Sequence, residues 1–290
     1  MLCPSSQQFL TPNGTNIHYI ASGNIEGPLF ILLHGLGGST ETFRDLIPCI
    51  PKHRRVIAVD IEGFGNTSLN QTQPLSFLRY VSDLHFLISH LQKHSAPLAN
   101  TSNGSAAKFQ TVFMGHSLGA IISLHYASKY PAEVGGLLLL GVGRSVRGIP
   151  AAQQRMRDLA ATAREKGMDA IAEVAVKTNF PADREREDNE KEQIRIAVAS
   201  CNAEAYAQTA ELVASDDHFD PDYNKISCPC VFVAGDGDMI SPVQRSKDIS
   251  GLLGGPSEVV IVKSGHQMIL QDMNGVKSAL DRFLSGLEGP

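Results

Sequence analysis

The chain has 290 residues, of which 42% are apolar and 19% are charged, a composition ordinary for a folded globular protein and unlike that of disordered segments. The net charge is −5 and the basic residues are scattered, which argues against nucleic acid or an anionic membrane surface as a partner. Apolar runs such as residues 137–140 are far too short to cross a bilayer, so no membrane-spanning segment is expected.

Short apolar runs bounded by Gly, Pro or Asn alternate with longer stretches of helical period, the pattern of a mostly parallel sheet covered by helices. The predicted fold class is therefore α/β. Strands are predicted at residues 16–22, 29–33, 55–60, 110–114, 134–140, 230–234 and 257–262. Helices are predicted at residues 41–47, 75–93, 118–129, 243–252 and 267–285.

Two segments break this alternation. Residues 95–107 are rich in Ser, Asn, Ala and Gly and are predicted to form a mobile surface loop. Residues 145–223 contain no strand-like run and are rich in Ala, Glu, Arg and Gln, so helices should dominate there. We expect a core of residues 1–144 and 224–290, with residues 145–223 inserted as a helical lid.

The N-terminal residues carry neither the basic start nor the apolar segment of a secretory signal, and the last residues carry no peroxisomal tripeptide, so a cytoplasmic protein is predicted. The cysteines are odd in number and widely spaced, which fits neither a disulfide framework nor a zinc site. We expect reduced thiols at Cys3, Cys49, Cys201, Cys228 and Cys230.

The sharpest motif is Gly115-His116-Ser117-Leu118-Gly119, which follows an apolar run and precedes a helical stretch. Glycines two residues before and after the serine allow a tight strand-to-helix turn that strains the backbone and exposes the hydroxyl. The amino-terminal end of the following helix also favours negative charge that develops near Ser117. The pentapeptide alone is a weak signal, but between a strand and a helix it predicts a nucleophile.

A serine hydroxyl is a poor nucleophile near neutral pH and needs a base, which in turn needs a group that orients it. His266 follows the last predicted strand and precedes the last predicted helix, so its loop should open on the same sheet edge as Ser117. We therefore predict His266 as the base. Surface or hydrogen-bonded roles are the better explanation for His18, His85, His90, His94 and His125.

Two carboxylates compete for the third role, because Gly235-Asp236-Gly237-Asp238 follows the strand at residues 230–234. Asp238 is favoured, since it lies further from the strand and can reach the histidine, whereas Asp236 suits hydrogen bonding within the turn. The chain order is then Ser, Asp, His, as this type of motif requires. Asp60 precedes a Gly63-Phe64-Gly65 turn and is expected to brace a loop rather than to catalyse.

Attack on a carbonyl places negative charge on its oxygen, which oriented backbone amides can stabilise. His34-Gly35-Leu36-Gly37-Gly38 follows the strand at residues 29–33, and its glycines allow the backbone to approach a substrate closely. We predict that the amides of Leu36 and Leu118 form the oxyanion hole. For the glycines alone, a tight turn without this role is the alternative.

These motifs, in this order, resemble those of the α/β-hydrolase superfamily over residues 15–284. Residues 60–68, Tyr130-Pro131 and Pro242 add to the likeness. The resemblance implies an eight-stranded, mostly parallel sheet flanked by helices, with a helical lid after the sixth strand. Glu62 and Phe64 stand where many members carry Arg and His, which leaves the substrate class open.

Residues 167–168, 204–207 and 226–229 are similar to the lid and lid-to-core return of 3-oxoadipate enol-lactonase-like hydrolases, including fungal relatives in secondary metabolism. This finer resemblance implies a small lactone or ester as substrate. Epoxide hydrolases and haloalkane dehalogenases carry an aspartate at the nucleophile position, so Ser117 argues against both. Substrate contacts are expected from His34, Gly35, His116, Met156, Phe180 and Tyr206.

The predicted activity is hydrolysis of a small lactone or carboxylic ester through an acyl-enzyme on Ser117, by a monomer or homodimer. No metal or organic cofactor is expected, because no residues have metal-ligand spacing and the Gly-rich loops lack a dinucleotide pattern. Two alternatives remain open. One is an enzyme with the same triad that cleaves a carbon–carbon bond or a thioester, and the other is a ligand sensor that turns over slowly or not at all.

Overall fold

The computed structural model describes residues 4–93, 110–181 and 188–288. Within these residues, eight strands form one sheet in the order β1-β2-β4-β3-β5-β6-β7-β8. β2 pairs antiparallel with β1 and β4, and all other neighbours are parallel. The strands are β1 (Ser5–Leu10), β2 (Asn16–Gly23), β3 (Leu29–Leu33), β4 (Arg55–Val59), β5 (Thr111–His116), β6 (Val134–Leu140), β7 (Cys230–Gly235) and β8 (Ser257–Val262).

The edge strand β1 was absent from the strands predicted residue by residue. Its six residues are mostly polar and exposed, so they lack the apolar run that marks a strand in sequence. The strand forms through its backbone pairing with β2, which sets Ser5 opposite Ala21 and Leu10 opposite Asn16. The surface loop predicted at residues 95–107 lies outside the described residues.

The central strands are buried on both faces, which explains why β3, β4 and β5 read as continuous apolar runs. Alternate residues of β3 enter two separate cores: Ile31 packs with the first, and Leu32 with the second. Leu84 and Ile122 belong to the first core, and Leu280 belongs to the second. Because the parallel strands run the same way, the loops that follow β3, β5, β7 and β8 meet at one sheet edge.

Nine helices lie within the described residues, and none of them is long and apolar enough to cross a membrane. The first of these helices begins at a serine cap, since the Ser76 side chain accepts a hydrogen bond from the Arg79 amide at 3.1 Å. The helices are α1 (Phe77–Gln92), α2 (Leu118–Lys129), α3 (Pro150–Lys166), α4 (Met168–Asn179), α5 (Asp188–Ala199), α6 (Ala203–Ala214), α7 (Val243–Ser250), α8 (Met268–Gln271) and α9 (Met273–Glu288).

Two predicted helices are interrupted. The one expected at residues 41–47 is instead two short 3-10 turns, Thr40–Phe43 and Ile47–Cys49, because Pro48 has no N–H with which to continue a helix. The one expected at residues 267–285 is divided at Asp272, whose backbone leaves the helical region with a φ of −148° and a ψ of 64°. The Asp272 side chain accepts from the amides of Gly275 and Lys263, both at 2.9 Å, and this cap starts α9.

The described residues between β6 and β7 form α3 to α6 and contain no strand. α3 packs along α6, and α4 packs along α5. Gln153 of α3 donates to the Ala214 carbonyl at the end of α6, at 2.9 Å. Arg164 of α3 forms ion pairs with Glu204 and Glu211 of α6, although such exposed pairs contribute little to stability. The helical content agrees with the sequence, and the role of residues 145–223 as a lid domain stays a prediction.

We predict that Asp272→Ala lowers the free energy of unfolding by roughly 1–2 kcal/mol, because the change removes the cap of α9. Chemical denaturation of the two proteins measures the difference. Asp281→Ala, at an exposed position of the same helix, is the control and should change the value by less than about 0.5 kcal/mol. Equal losses in the two variants would contradict the capping role.

Candidate active site

Ser117 lies at the turn between β5 and α2, and its backbone is strained. With a φ of 50°, it is the only residue other than glycine that has a positive φ in the described part of the chain. The turn is held on both sides, because the Ser117 amide donates to the Leu140 carbonyl at 2.9 Å and its carbonyl accepts from Ala120 at 3.0 Å. Strain of this kind persists only where the surrounding structure imposes it, and it is typical of a functional turn.

The glycines of the motif let this turn lie against the end of β3. A Cβ at Gly119 would overlap the Leu33 carbonyl, and one at Gly115 would meet the first turn of α2. The Gly119 amide donates to the His34 carbonyl at 3.0 Å, which ties the turn to the loop after β3. Both positions therefore require a residue without a side chain.

His266 and Asp238 form a buried pair after β8 and β7. His266 Nδ1 lies 2.8 Å from Asp238 Oδ2, while Oδ1 accepts from the amides of Ile240 and Ser241, each at 2.8 Å. Burial favours the neutral carboxyl, but the His266 imidazole and these hydrogen bonds outweigh it and lower the pKa of Asp238. Because a carboxylate only accepts, Nδ1 of His266 carries the proton and Nε2 is left as a hydrogen-bond acceptor.

Asp236, the competing carboxylate, contacts a different group. Its Oδ1 accepts from the Ser264 amide at 3.1 Å, and its own amide donates to the Val262 carbonyl at 2.9 Å. These bonds hold the loop that leads from β8 to His266. Asp238 therefore contacts the imidazole of His266, whereas Asp236 contacts the backbone of the turn.

Ser117 and His266 line one cavity of about 540 Å³. Gly35 approaches the serine so closely that a Cβ there would lie 3.2 Å from Ser117 Cβ. Gly141, with a φ of 54°, makes room for the imidazole, since a Cβ at this position would lie 3.1 Å from the His266 ring. The loops after β3, β5, β6 and β8 therefore converge on one space.

Leu36 and Leu118, the predicted oxyanion donors, both line this cavity. Neither amide donates a hydrogen bond to any other group of the described residues. Leu118 is also the first residue of α2, where the helix dipole favours negative charge. Two unpaired amides beside Ser117 are suited to a developing oxyanion, and their assignment remains a proposal.

His116 lines the cavity as an uncharged residue that supports the backbone of a neighbouring loop. Its Nε2 donates to the His266 carbonyl at 2.8 Å, so it supports the backbone of the loop that carries His266. Burial, together with the neighbouring His266 ring, lowers the pKa of His116 to about 3. The ring is therefore uncharged throughout the physiological pH range and cannot hold a substrate anion by charge.

Two of the six residues expected to contact substrate do not line the cavity. His34 is fully buried, its Nδ1 donates to the Gly35 carbonyl at 2.8 Å, and its Nε2 accepts from the Ile61 amide at 3.0 Å. Both ring nitrogens are therefore occupied by the backbone, and His34 shapes the loop after β3 instead. Phe180 packs into the first core at the end of α4. Gly35, His116, Met156 and Tyr206 do line the cavity.

The cavity wall is largely apolar but carries three arginines, Arg144, Arg155 and Arg245. Arg144 is paired with Asp220, whereas Arg155 forms no hydrogen bond or ion pair with the described residues. No carboxylate side chain is among the described residues of the wall. Sequence patterns did not single out these arginines. Within the same described residues, no three His, Cys, Asp or Glu side chains are grouped to hold a metal ion.

Asn179, at the end of α4, is another residue of the site that sequence patterns did not single out. Its carbonyl accepts from the His266 amide at 2.9 Å and from the Gln271 side chain at 3.1 Å. Its side-chain oxygen accepts from Gln267 at 2.7 Å. The helical segment between β6 and β7 is therefore bonded directly to the loop that carries His266.

Similarity to known proteins agrees with this geometry. The family model for the alpha/beta hydrolase fold matches residues 28–272. The 2-hydroxy-6-oxo-6-(2'-aminophenyl)hexa-2,4-dienoic acid hydrolase of Metapseudomonas resinovorans is 24% identical, over 96% of this chain and 91% of that protein. A thermophilic esterase from Thermogutta terrifontis has a TM-score of 0.83 at 21% identity, covering 98% of this chain and 100% of its own. The enol-lactonase from Burkholderia xenovorans LB400 has a TM-score of 0.79 at 21% identity, covering 96% and 99%. Because the family model spans most of its length, the chain belongs to the α/β-hydrolase family.

Proposed function

We propose that the protein is a serine hydrolase that cleaves a small carboxylic ester or lactone through an acyl-enzyme on Ser117. The observation that carries this proposal is the buried Asp238–His266 pair, whose histidine lines the same cavity as a strained serine. A nucleophile, a base and a group that orients the base are the minimum for acyl transfer by serine.

In the proposed reaction, Ser117 Oγ attacks the carbonyl carbon while His266 Nε2 takes the hydroxyl proton. Asp238 stays ionised and stabilises the imidazolium. The amides of Leu36 and Leu118 stabilise the oxyanion, and each such donor is worth roughly 10²–10³ in rate. His266 then protonates the leaving alcohol, or the ring oxygen of a lactone, and water releases the acyl group by the reverse sequence of proton transfers.

The character of the cavity supports a small substrate with a negatively charged group. A wall that carries Arg155 without an ion pair, and no carboxylate among its described residues, attracts an anion, while its apolar remainder suits a hydrocarbon chain. The Metapseudomonas relative acts on a dienoic acid, and the Burkholderia neighbour is an enol-lactonase. From the cavity wall and these two similarities we infer that the substrate is a carboxylate-bearing ester or lactone. This is in line with the likeness to enol-lactonase-like hydrolases and their fungal relatives.

Ser117→Ala should lower turnover of a verified substrate by at least about 10³-fold, because the acyl-enzyme cannot form. A fluorophosphonate should label Ser117 in the unaltered chain, and competition with esters, lactones and thioesters should identify the substrate class. Ser123→Ala removes a buried hydroxyl that binds the Gly119 carbonyl on the same helix, and it is the control for folding. Turnover that survives in Ser117→Ala, once peptide mapping has verified the substitution, would refute the nucleophile.

Asp238→Asn should lower kcat by roughly 10²–10⁴-fold, because an amide cannot hold His266 in the required tautomer and charge state. Asp236→Asn keeps an acceptor for the Ser264 amide, so we expect a loss of less than about tenfold. Steady-state kinetics on the same ester compares the two. The opposite ranking would move the catalytic role to Asp236.

Arg155→Met should raise KM about tenfold for the half-ester of a short dicarboxylic acid and leave the neutral diester unaffected, because only the half-ester carries a charge for the guanidinium. Arg157→Met changes an exposed residue of the same helix that does not line the cavity, and it should affect neither substrate. An equal change for both esters in Arg155→Met would argue against recognition of the anion.

A further inference from the structure

A second chain of Ser, His and Asp hydrogen bonds lies on the antiparallel side of the sheet, away from Ser117. Ser6 Oγ is 2.8 Å from His18 Nε2, and His18 Nδ1 is 2.7 Å from Asp60 Oδ2. His18 and Asp60 are 3% and 1% exposed, whereas Ser6 is exposed. The serine sits on β1, the strand that sequence patterns did not mark. The three residues repeat the order of contacts expected of an activated serine.

The register of β1 on β2 explains why these side chains meet. Gln8 lies opposite His18 and Ser6 lies opposite Ile20, so Ser6 and His18 are diagonal neighbours on one face of the sheet. Ser5 faces the other way, because side chains alternate along a strand, and its hydroxyl accepts from the Gln7 side chain at 3.2 Å. One strand thus presents a serine bonded to the histidine and, next to it, a serine that is not.

The contacts of Asp60 indicate which nitrogen of His18 carries the proton. Its Oδ1 accepts from the Thr40 amide at 2.6 Å, and its Oδ2 accepts from the Asn66 amide at 2.9 Å. Both oxygens accept hydrogen bonds from backbone amides, so we assign Asp60 as the acceptor and His18 Nδ1 as the donor of the bond between them. Nε2 of His18 is then the acceptor, and the Ser6 hydroxyl donates to it. This is the arrangement in which an imidazole removes a serine proton.

Ser6, His18 and Asp60 line a cleft of about 390 Å³, which we call the N-terminal cleft. Ser39 and Gly65 also line it, and their amides donate to no group among the described residues. The cleft and the Ser117 cavity share Gly38 and Ala197 in their walls but otherwise have different linings. A small ligand can therefore reach Ser6 without occupying the main site.

We propose that Ser6 is a second nucleophile, which accepts a small acyl group from an activated ester such as an aryl acetate, with His18 as its base. Oγ forms a bond to the carbonyl carbon, and the bond from that carbon to the aryloxide breaks. The hydroxyl proton passes to His18 Nε2 and then to the departing aryloxide, leaving acylated Ser6 and a phenol. Asp60 keeps its charge throughout and stabilises the imidazolium. This inference does not depend on the role of Ser117.

The test uses the full chain carrying Ser117→Ala, so that the main nucleophile cannot react, with 4-nitrophenyl acetate as the probe. Peptide mass spectrometry locates the acetyl groups. We expect acetylation of Ser6 to exceed that of Ser5 by at least about 10²-fold, because only Ser6 has a base within reach. His18→Gln should slow acetylation of Ser6 by a similar factor. Ser6→Ala in the otherwise unaltered chain should keep the hydrolysis that depends on Ser117.

Equal acetylation of Ser5 and Ser6, or unmodified Ser6 when the N-terminal amine of the same chain has reacted, would overturn the proposal and leave the three residues as a brace for β1. Should His18→Gln fail to fold, the ratio of Ser6 to Ser5 acetylation in the Ser117→Ala chain decides. Should Ser117→Ala fail to fold, the same ratio is measured in the unaltered chain, where peptide mapping separates Ser6 from Ser117.

Discussion

The hydrogen bond from the Gly119 amide to the His34 carbonyl joins the turn that carries Ser117 to the loop after β3. It requires the start of α2 to lie directly on the end of β3, where a single methyl group at Gly119 would overlap the Leu33 carbonyl. This close packing of backbone brings the unpaired amides of Leu36 and Leu118 into the wall of one cavity. The strained φ of Ser117 is a consequence of the same contact, since the chain has to leave the strand abruptly to enter the helix there.

Sequence patterns predicted the strands and helices whose form depends mainly on residues close together in the chain. The apolar runs of β3 and β6 and the helix α2 have the residue bounds expected of them, because burial on both faces and a glycine-flanked turn leave clear traces in sequence. The strand Ser5–Leu10 left none, since its partner supplies its hydrogen bonds and its side chains stay exposed. A motif likewise cannot say which group a histidine contacts, so His34 was expected at the substrate and instead holds two backbone groups.

The wall of the main cavity was not predictable for a different reason. Arg155 lies on a helix whose composition indicates only that it is helical, and the face that meets the cavity depends on how α3 packs against the rest of the fold. The net charge of −5 gives no hint of it either, because an average over the whole chain hides a local excess of the opposite sign. The charge of the cavity wall therefore emerges only from the packed structure.

Asn179 joins the end of α4 to the loop that carries His266 through hydrogen bonds. Its carbonyl accepts a hydrogen bond from the His266 amide, and its side chain accepts one from Gln267. A shift at the end of α4 would therefore disturb the loop that carries His266. In the proposed reaction, an acyl group that displaced α4 would misalign the imidazole as well as lose contacts, so a poorly fitting compound would react more slowly as well as bind more weakly. Under the proposed mechanism, discrimination between substrates would therefore depend on the alignment of His266 as well as on contacts with the cavity wall.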